Sequence, residues 1–195
     1  MKTHRVNVTG FTLIELMVSL AIVVILLGVA VPSLTTFQRN AQLTTFTNTM
    51  LASMNAARGE AMKRGRYAMV VPKDLSNWSS GWIVFVDVDR SQTYDVAADI
   101  TILTQGAAPS YLTLTGNGSA SDTAGPYLMF DASGYSKLKA GGFGACTLEV
   151  KRNDVSGTDQ LAQIRRLKIA STGRARICTP STTTDTTCAN STSSL

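Results

Sequence analysis

Apolar residues fall into three regimes along the chain. Over residues 11–31 nearly every position is apolar, interrupted only by Thr12, Glu15, Ser19 and Gly28. As a helix this run is about 30 Å long, enough to span a bilayer core. After Pro32 the pattern becomes amphipathic. Phe37, Ala41, Leu43, Phe46, Met50, Met54, Ala57 and Ala61 recur at steps of mostly three and four, while Gln38, Arg39, Asn40, Asn48, Asn55 and Arg58 fall largely off that stripe. The same helix is therefore expected to continue as the spine of a domain. Gly65 is its expected stop, with Lys63 and Arg64 favourable in the last turn. Beyond Gly65 come short β-rich runs. Strands are expected over residues 67–71, 82–88, 100–103, 111–114, 127–130, 146–151, 164–170 and 174–178, separated by Gly-, Asn- and Ser-rich turns. A helix followed by a series of antiparallel strands is an α+β architecture.

This divides the chain into residues 1–10, a short leader; 11–32, a membrane-spanning helix; 33–65, the amphipathic half of that helix; 66–178, an antiparallel β-rich domain; and 179–195, a Ser/Thr-rich tail. The tail has no apolar periodicity and is expected to be poorly ordered except where Cys188 ties it down.

Composition adds limits. The 195 residues are 44% hydrophobic and only 16% charged, which argues against a disordered chain. The net charge of +5 is too modest by itself to indicate a nucleic-acid binder. Lys2 and Arg5 precede the apolar run, so the N-terminus is expected in the cytoplasm and the C-terminal part exported. Disulfides are permitted there. Of the three cysteines, Cys178 is expected to pair with Cys188; Cys146–Cys178 is the rival pairing, and a buried free Cys146 is at least as good a reading of that residue.

The single histidine, His4, lies in the leader, so no Ser-His-Asp, Cys-His or HExxH site can be assembled in the exported part, and no P-loop or GxGxxG occurs. Catalytic residues and cofactors are not expected. The run from Asp87 to Asp95, D-V-D-R-S-Q-T-Y-D, is acidic, with Asp99 just beyond it. It lacks the glycine and glutamate that a calcium loop carries at its sixth and twelfth positions, where Gln92 and Ala98 stand. It reads as a solvated acidic loop, and no metal site is expected.

One residue inside the apolar run is out of place. A carboxylate at membrane depth costs roughly 2.5–3.5 kcal/mol, so Glu15 needs a partner. Gly10-Phe11-Thr12-Leu13-Ile14-Glu15, after a short basic leader and before a long apolar run, resembles the processing site of type IV prepilins. The resemblance implies cleavage after Gly10 by a prepilin peptidase, N-methylation of Phe11, and pairing of Glu15 with the N-terminal amine of a neighbouring subunit during assembly. It implies the pilin fold, a long N-terminal α-helix packed on a C-terminal antiparallel β-sheet domain. The partners it implies are other pilins and the inner membrane, with final display on a pilus. Ala57-Arg58-Gly59-Glu60-Ala61, Gly81-Trp82-Ile83-Val84-Phe85-Val86-Asp87 and Gly173-Arg174-Ala175-Arg176 are similar to the minor-pilin and pseudopilin group often called GspH/FimT.

Residues 160–178 hold five basic side chains and no acid. Strand alternation puts Leu167 and Ile169 on one face and Arg166 and Lys168 on the other; likewise Ala175 and Ile177 point inward, Arg174 and Arg176 outward. Four cations are therefore expected on one exposed surface. Such a face is ordinarily the solvated side of a half-buried sheet or a salt-bridge partner. Gly173-Arg174-Ala175-Arg176 also resembles the motif by which FimT-type minor pilins bind DNA for natural transformation, which implies a role for Arg174 and Arg176; Arg166 and Lys168 join them through alternation alone. Two functions follow. The first is sequence-independent capture of double-stranded DNA. The second is a purely structural minor pilin or pseudopilin that primes assembly of a type IV pilus or a type II secretion pseudopilus.

Overall fold

The computed structural model describes residues 10–191; the expectations for residues 1–9 and 192–195 lie outside them. Helix α1 runs over Leu13–Arg64, through Pro32, and ends at Gly65, whose φ of +65° is the left-handed conformation glycine adopts at least cost.

The described residues up to Ala41 form one compact unit, made up mainly of the first part of α1. An 18-residue window of the helix has a mean hydropathy of 2.8 and none of it is buried. The helix is thus long and apolar enough to cross a membrane by length and composition.

The second unit begins at Gln42. It contains the rest of α1 and eight strands: β1 (Tyr67–Pro72), β2 (Trp82–Asp87), β3 (Ile100–Gln105), β4 (Leu112–Asn117), β5 (Leu128–Phe130), β6 (Cys146–Arg152), β7 (Ile164–Ile169) and β8 (Ala175–Cys178). They form two four-stranded antiparallel sheets, ordered β3-β2-β1-β5 and β4-β6-β7-β8. The pilin fold expected from the sequence is present, with the β-region split into two sheets.

The core lies where the helix stripe meets both sheets. Leu43, Phe46, Met50, Met54, Ala57 and Ala61 are buried against Val84 and Leu128 of one sheet and Leu148, Val150 and Leu167 of the other. The stripe is narrower than its sequence period, because Phe37 is 70% exposed and Ala41 is also exposed; burial begins at Leu43. Two tryptophans lock the helix and loops in place. Trp82 stacks edge-on against Phe46 at 5.3 Å, and its indole N–H donates to Ser53 Oγ at 2.9 Å. Trp78 donates to the Ala120 carbonyl at 2.8 Å. Both rings bury large apolar areas while satisfying their single donor.

Candidate nucleic-acid interface on the outer face of the second sheet

In the second sheet Leu148 pairs with Leu167, and Leu167 with Ile177, all three in contact with the core. Alternation then places the next positions on the opposite face: Glu149 beside Arg166 beside Cys178, and Thr147 beside Lys168 beside Arg176. The sequence assigned these cations to the correct face.

That face is not open. Residues 179–191 fold back over it, and five successive carbonyls receive side-chain donors from beneath. Arg176 donates to Thr187 O at 2.8 Å, Arg166 to Cys188 O, Lys168 to Ala189 O at 3.1 Å, Asn117 to Asn190 O at 3.1 Å and Thr147 to Ser191 O at 3.2 Å. A disulfide joins Cys178 to Cys188, fixing the strap to β8. Asp185 organises the turn before it, accepting from the amides of Ser181, Thr187 and Cys188. Those bonds hold its carboxyl well below the usual range, the Ser181 amide contributing most. The tail expected to be poorly ordered therefore has a defined path over residues 179–191, because charged side chains recruit its backbone.

Two of the four expected surface cations are corrected accordingly. Lys168 has no exposed surface, and Arg166 is ion-paired to Glu149 at 2.7 Å with a largely covered side chain. Burial lowers the Lys168 pKa, and the neighbouring Arg176 and Arg166 charges lower it further.

Arg174 and Arg176 remain exposed. Among the described residues Arg174 makes no side-chain hydrogen bond or ion pair. With Lys168, Ala170, Ser171 and Thr172 the two arginines line an open groove of about 450 Å³. The turn that presents them is held from behind. Gly173 has φ +77°, and a Cβ there would lie 1.9 Å from the Gly134 carbonyl oxygen. That same oxygen accepts a 2.9 Å hydrogen bond from Arg58 Nε on α1. Arg58 of the first shared motif and Gly173 of the last thus meet at one carbonyl. The adjoining loop, joined by Ser136 N to Ser171 O at 3.0 Å, carries Tyr135 and Phe143, 41% and 58% exposed, with ring centroids 5.3 Å apart. Lys137 Nζ sits 3.9 Å over the Phe143 ring. These aromatics were missed from sequence because they lie in a loop without alternation or a recognisable motif.

The other candidate residues lie elsewhere. Gly10 and Phe11 are exposed just before α1, and Glu15 is exposed in its first turn, its amide donating to Thr12 Oγ1 at 3.3 Å. Cys146 is a buried free thiol, and burial pushes its pKa up to about 12, so it is unreactive at neutral pH. The acidic run is only in part the solvated loop expected: Asp89 and Asp95 are exposed, but Asp87 is fully buried and Asp99 is 9% exposed. Asp87 is the last residue of core strand β2, paired with Tyr67 of β1, and Asp99 turns back to accept from Val88 N at 3.0 Å and Asp95 N at 2.9 Å.

Comparison with known proteins gives a family. Residues 47–173 match the family described as type II transport protein GspH, and residues 5–31 match the prokaryotic N-terminal methylation motif. No curated protein matches the chain. Among solved structures, the chain is similar to the Pseudomonas aeruginosa (strain PAO1) type IV minor pilin FimU in two crystal forms. One, in space group P21, has a TM-score of 0.51 at 20% identity over 75% of this chain and 98% of that one. The other, in space group P65, has a TM-score of 0.51 at 18% identity over 71% and 98%. The minor pseudopilin EpsH from the type 2 secretion system of Vibrio cholerae is similar at a TM-score of 0.49 and 13% identity, over 72% of this chain and 99% of that one. With a family model covering most of its length and the pilin fold beneath it, this chain belongs to the GspH family and is a structural, non-enzymatic protein of the minor pilin and pseudopilin type.

Proposed function

We propose that this minor pilin captures double-stranded DNA without regard to sequence, for uptake in natural transformation, through Arg174 and Arg176. The observation that carries this reading is the state of Arg174. It is exposed, unengaged among the described residues, and held on a glycine turn that abuts the Gly134 carbonyl. An arginine fork in that position meets phosphate oxygens bidentately and carries no base information. Arg176 stands beside it on the same groove. Arg166 and Lys168, engaged by Glu149 and the tail, take no part in the resting form. With about two phosphates neutralised, the log–log salt slope should be about −2, and single-subunit affinity weak. Display of several copies along a fibre raises avidity.

The test is a titration of labelled duplex DNA with the full chain in detergent micelles at low salt. Binding is expected for unrelated sequences alike, and Arg174→Gln/Arg176→Gln should lose at least tenfold while its Tm falls by only a few degrees, the share of the lost Arg176–Thr187 bond. Equal binding by both proteins would leave the structural role in pilus or pseudopilus assembly as the better reading.

Assembly is proposed to follow the prepilin route. Cleavage after Gly10 and methylation of Phe11 free a helix whose Glu15 pairs with a neighbour's terminal amine, and the domain moves from the periplasmic side of the inner membrane to the filament surface. A carboxylate that makes no side-chain hydrogen bond or ion pair among the described residues and is set in an apolar run supports this, because a paired amine offsets the insertion penalty. Glu15→Ala should be processed normally yet incorporated into filaments at a small fraction of the wild-type level, measured by blotting sheared fibres. Wild-type incorporation would remove the pairing argument.

A further inference from the structure

We propose that the β2–β3 connection is a calcium site formed by Asp87, Asp89 and Asp99. The three carboxylates each offer an oxygen, and these oxygens all lie within 4.8 Å of one another. Oxygens on opposite sides of a calcium ion, each bonded at about 2.4 Å, are about 4.8 Å apart, so the cluster has the span of one coordination sphere. Asp87 is completely buried, and its Oδ1 has no hydrogen-bond partner. Its other oxygen accepts from Gln92 N at 3.1 Å. Among the described residues no lysine or arginine forms an ion pair with any of the three carboxylates. A buried anion beside two others, without a cation, is costly. Desolvation raises the Asp87 pKa, and repulsion from Asp99 adds to it. A bound divalent cation reverses both effects at once.

The donor set selects the ion. Only oxygen donors are present, which suits hard cations, and three carboxylates around a loop of irregular backbone suit the adaptable six-to-eight-fold shell of calcium better than the strict octahedron of magnesium. Asp89 is exposed and opens the cluster to solvent, so an ion can enter and keep water ligands. The features that made the sequence look deficient are met in another way. Gln92, standing where a calcium loop has glycine, takes φ +57° and turns its amide onto Asp87. Asp99, one residue beyond the position of the missing glutamate, supplies the returning carboxylate. The site is independent of Arg174 and Arg176, and DNA binding can fail without affecting it.

The experiment is calorimetric titration of calcium chloride into the full chain in detergent after removal of divalent ions with EDTA, with thermal unfolding in parallel. Saturable binding of one ion is expected, with Kd of about 0.1–1 mM as for extracellular calcium modules, and Tm should rise by a few degrees at tenfold excess over Kd. Asp89→Asn, at an exposed position that leaves the fold intact, should weaken binding at least tenfold. Asp87→Asn should raise the Tm of the metal-free chain and abolish its response to calcium. Absence of saturable binding up to about 10 mM, or wild-type affinity in Asp89→Asn, overturns the site; equal affinity for magnesium chloride overturns its assignment to calcium.

Discussion

Gly173→Ala is expected to lower stability by about 3 kcal/mol, a Tm loss on the order of 10 °C for a chain of this size. Two effects add. The backbone at Gly173 has φ +77°, a left-handed conformation that costs an L-residue about 1–2 kcal/mol. The new methyl would also sit 1.9 Å from Gly134 O and 3.1 Å from Arg58 Nε. Neither neighbour can yield cheaply. The first is backbone, in a turn where Gly134 itself has φ +78° and would clash with Met62 if it bore a Cβ. The second is committed to that same carbonyl. Gly141→Ala separates the two effects, since its φ is +92° but nothing lies within 4 Å of the added methyl. It should cost only the backbone share. Thermal or urea unfolding of the two variants checks this, and a Gly173→Ala loss no greater than that of Gly141→Ala would show that the contact does not contribute. The same substitution pushes the turn away from α1 and so moves Arg174, and DNA capture should fall with stability.

The fold was legible in the sequence because each element announces itself locally. The run before Pro32, the helical stripe and the β-branched run of β2 are short-range patterns, and alternation placed Arg166, Lys168 and Arg176 on one face because Leu167 and Ile177 claim the other. Long-range covering was not legible. The strap that hides Lys168 binds through the carbonyls of Thr187, Cys188 and Ala189, and every residue has a carbonyl, so no side-chain pattern marks it. The Gly134–Gly173 contact joins two turns far apart in sequence that look like any other Gly-containing turn. Phe37 and Ala41 share the period of Leu43 and Phe46 but are exposed, since periodicity tells which face is apolar and not how far the domain extends along it. The acidic run misled for the converse reason. Charge density suggests solvent, while Asp87 is carried into the interior as the last residue of a strand flanked by Val84, Phe85 and Val86.

Removing the disulfide should change both stability and DNA binding. Cys178 and Cys188 are ten residues apart, and closing a loop of that size restricts the unfolded chain by roughly 3 kcal/mol. Cys178→Ser/Cys188→Ser should therefore unfold about 10 °C lower. Below that temperature the strap keeps only its side-chain-to-carbonyl hydrogen bonds, two exposed and three part-buried, each contributing about 1 kcal/mol, and without its covalent tie it should open from the sheet more often. Lys168 then becomes reachable beside Arg174 and Arg176. Arg166 does not, since its bond to Glu149 is independent of the tail. One cation is gained, so DNA binding should tighten severalfold at low salt and the salt slope should steepen from about −2 to about −3. Deleting residues 179–195 should give the same slope. Because reduction of the wild-type protein opens the same strap, dithiothreitol should reproduce the effect without mutation and leave the double variant unchanged. A lower Tm with an unaltered slope would mean that the strap serves stability alone and that Lys168 remains covered by its own sheet.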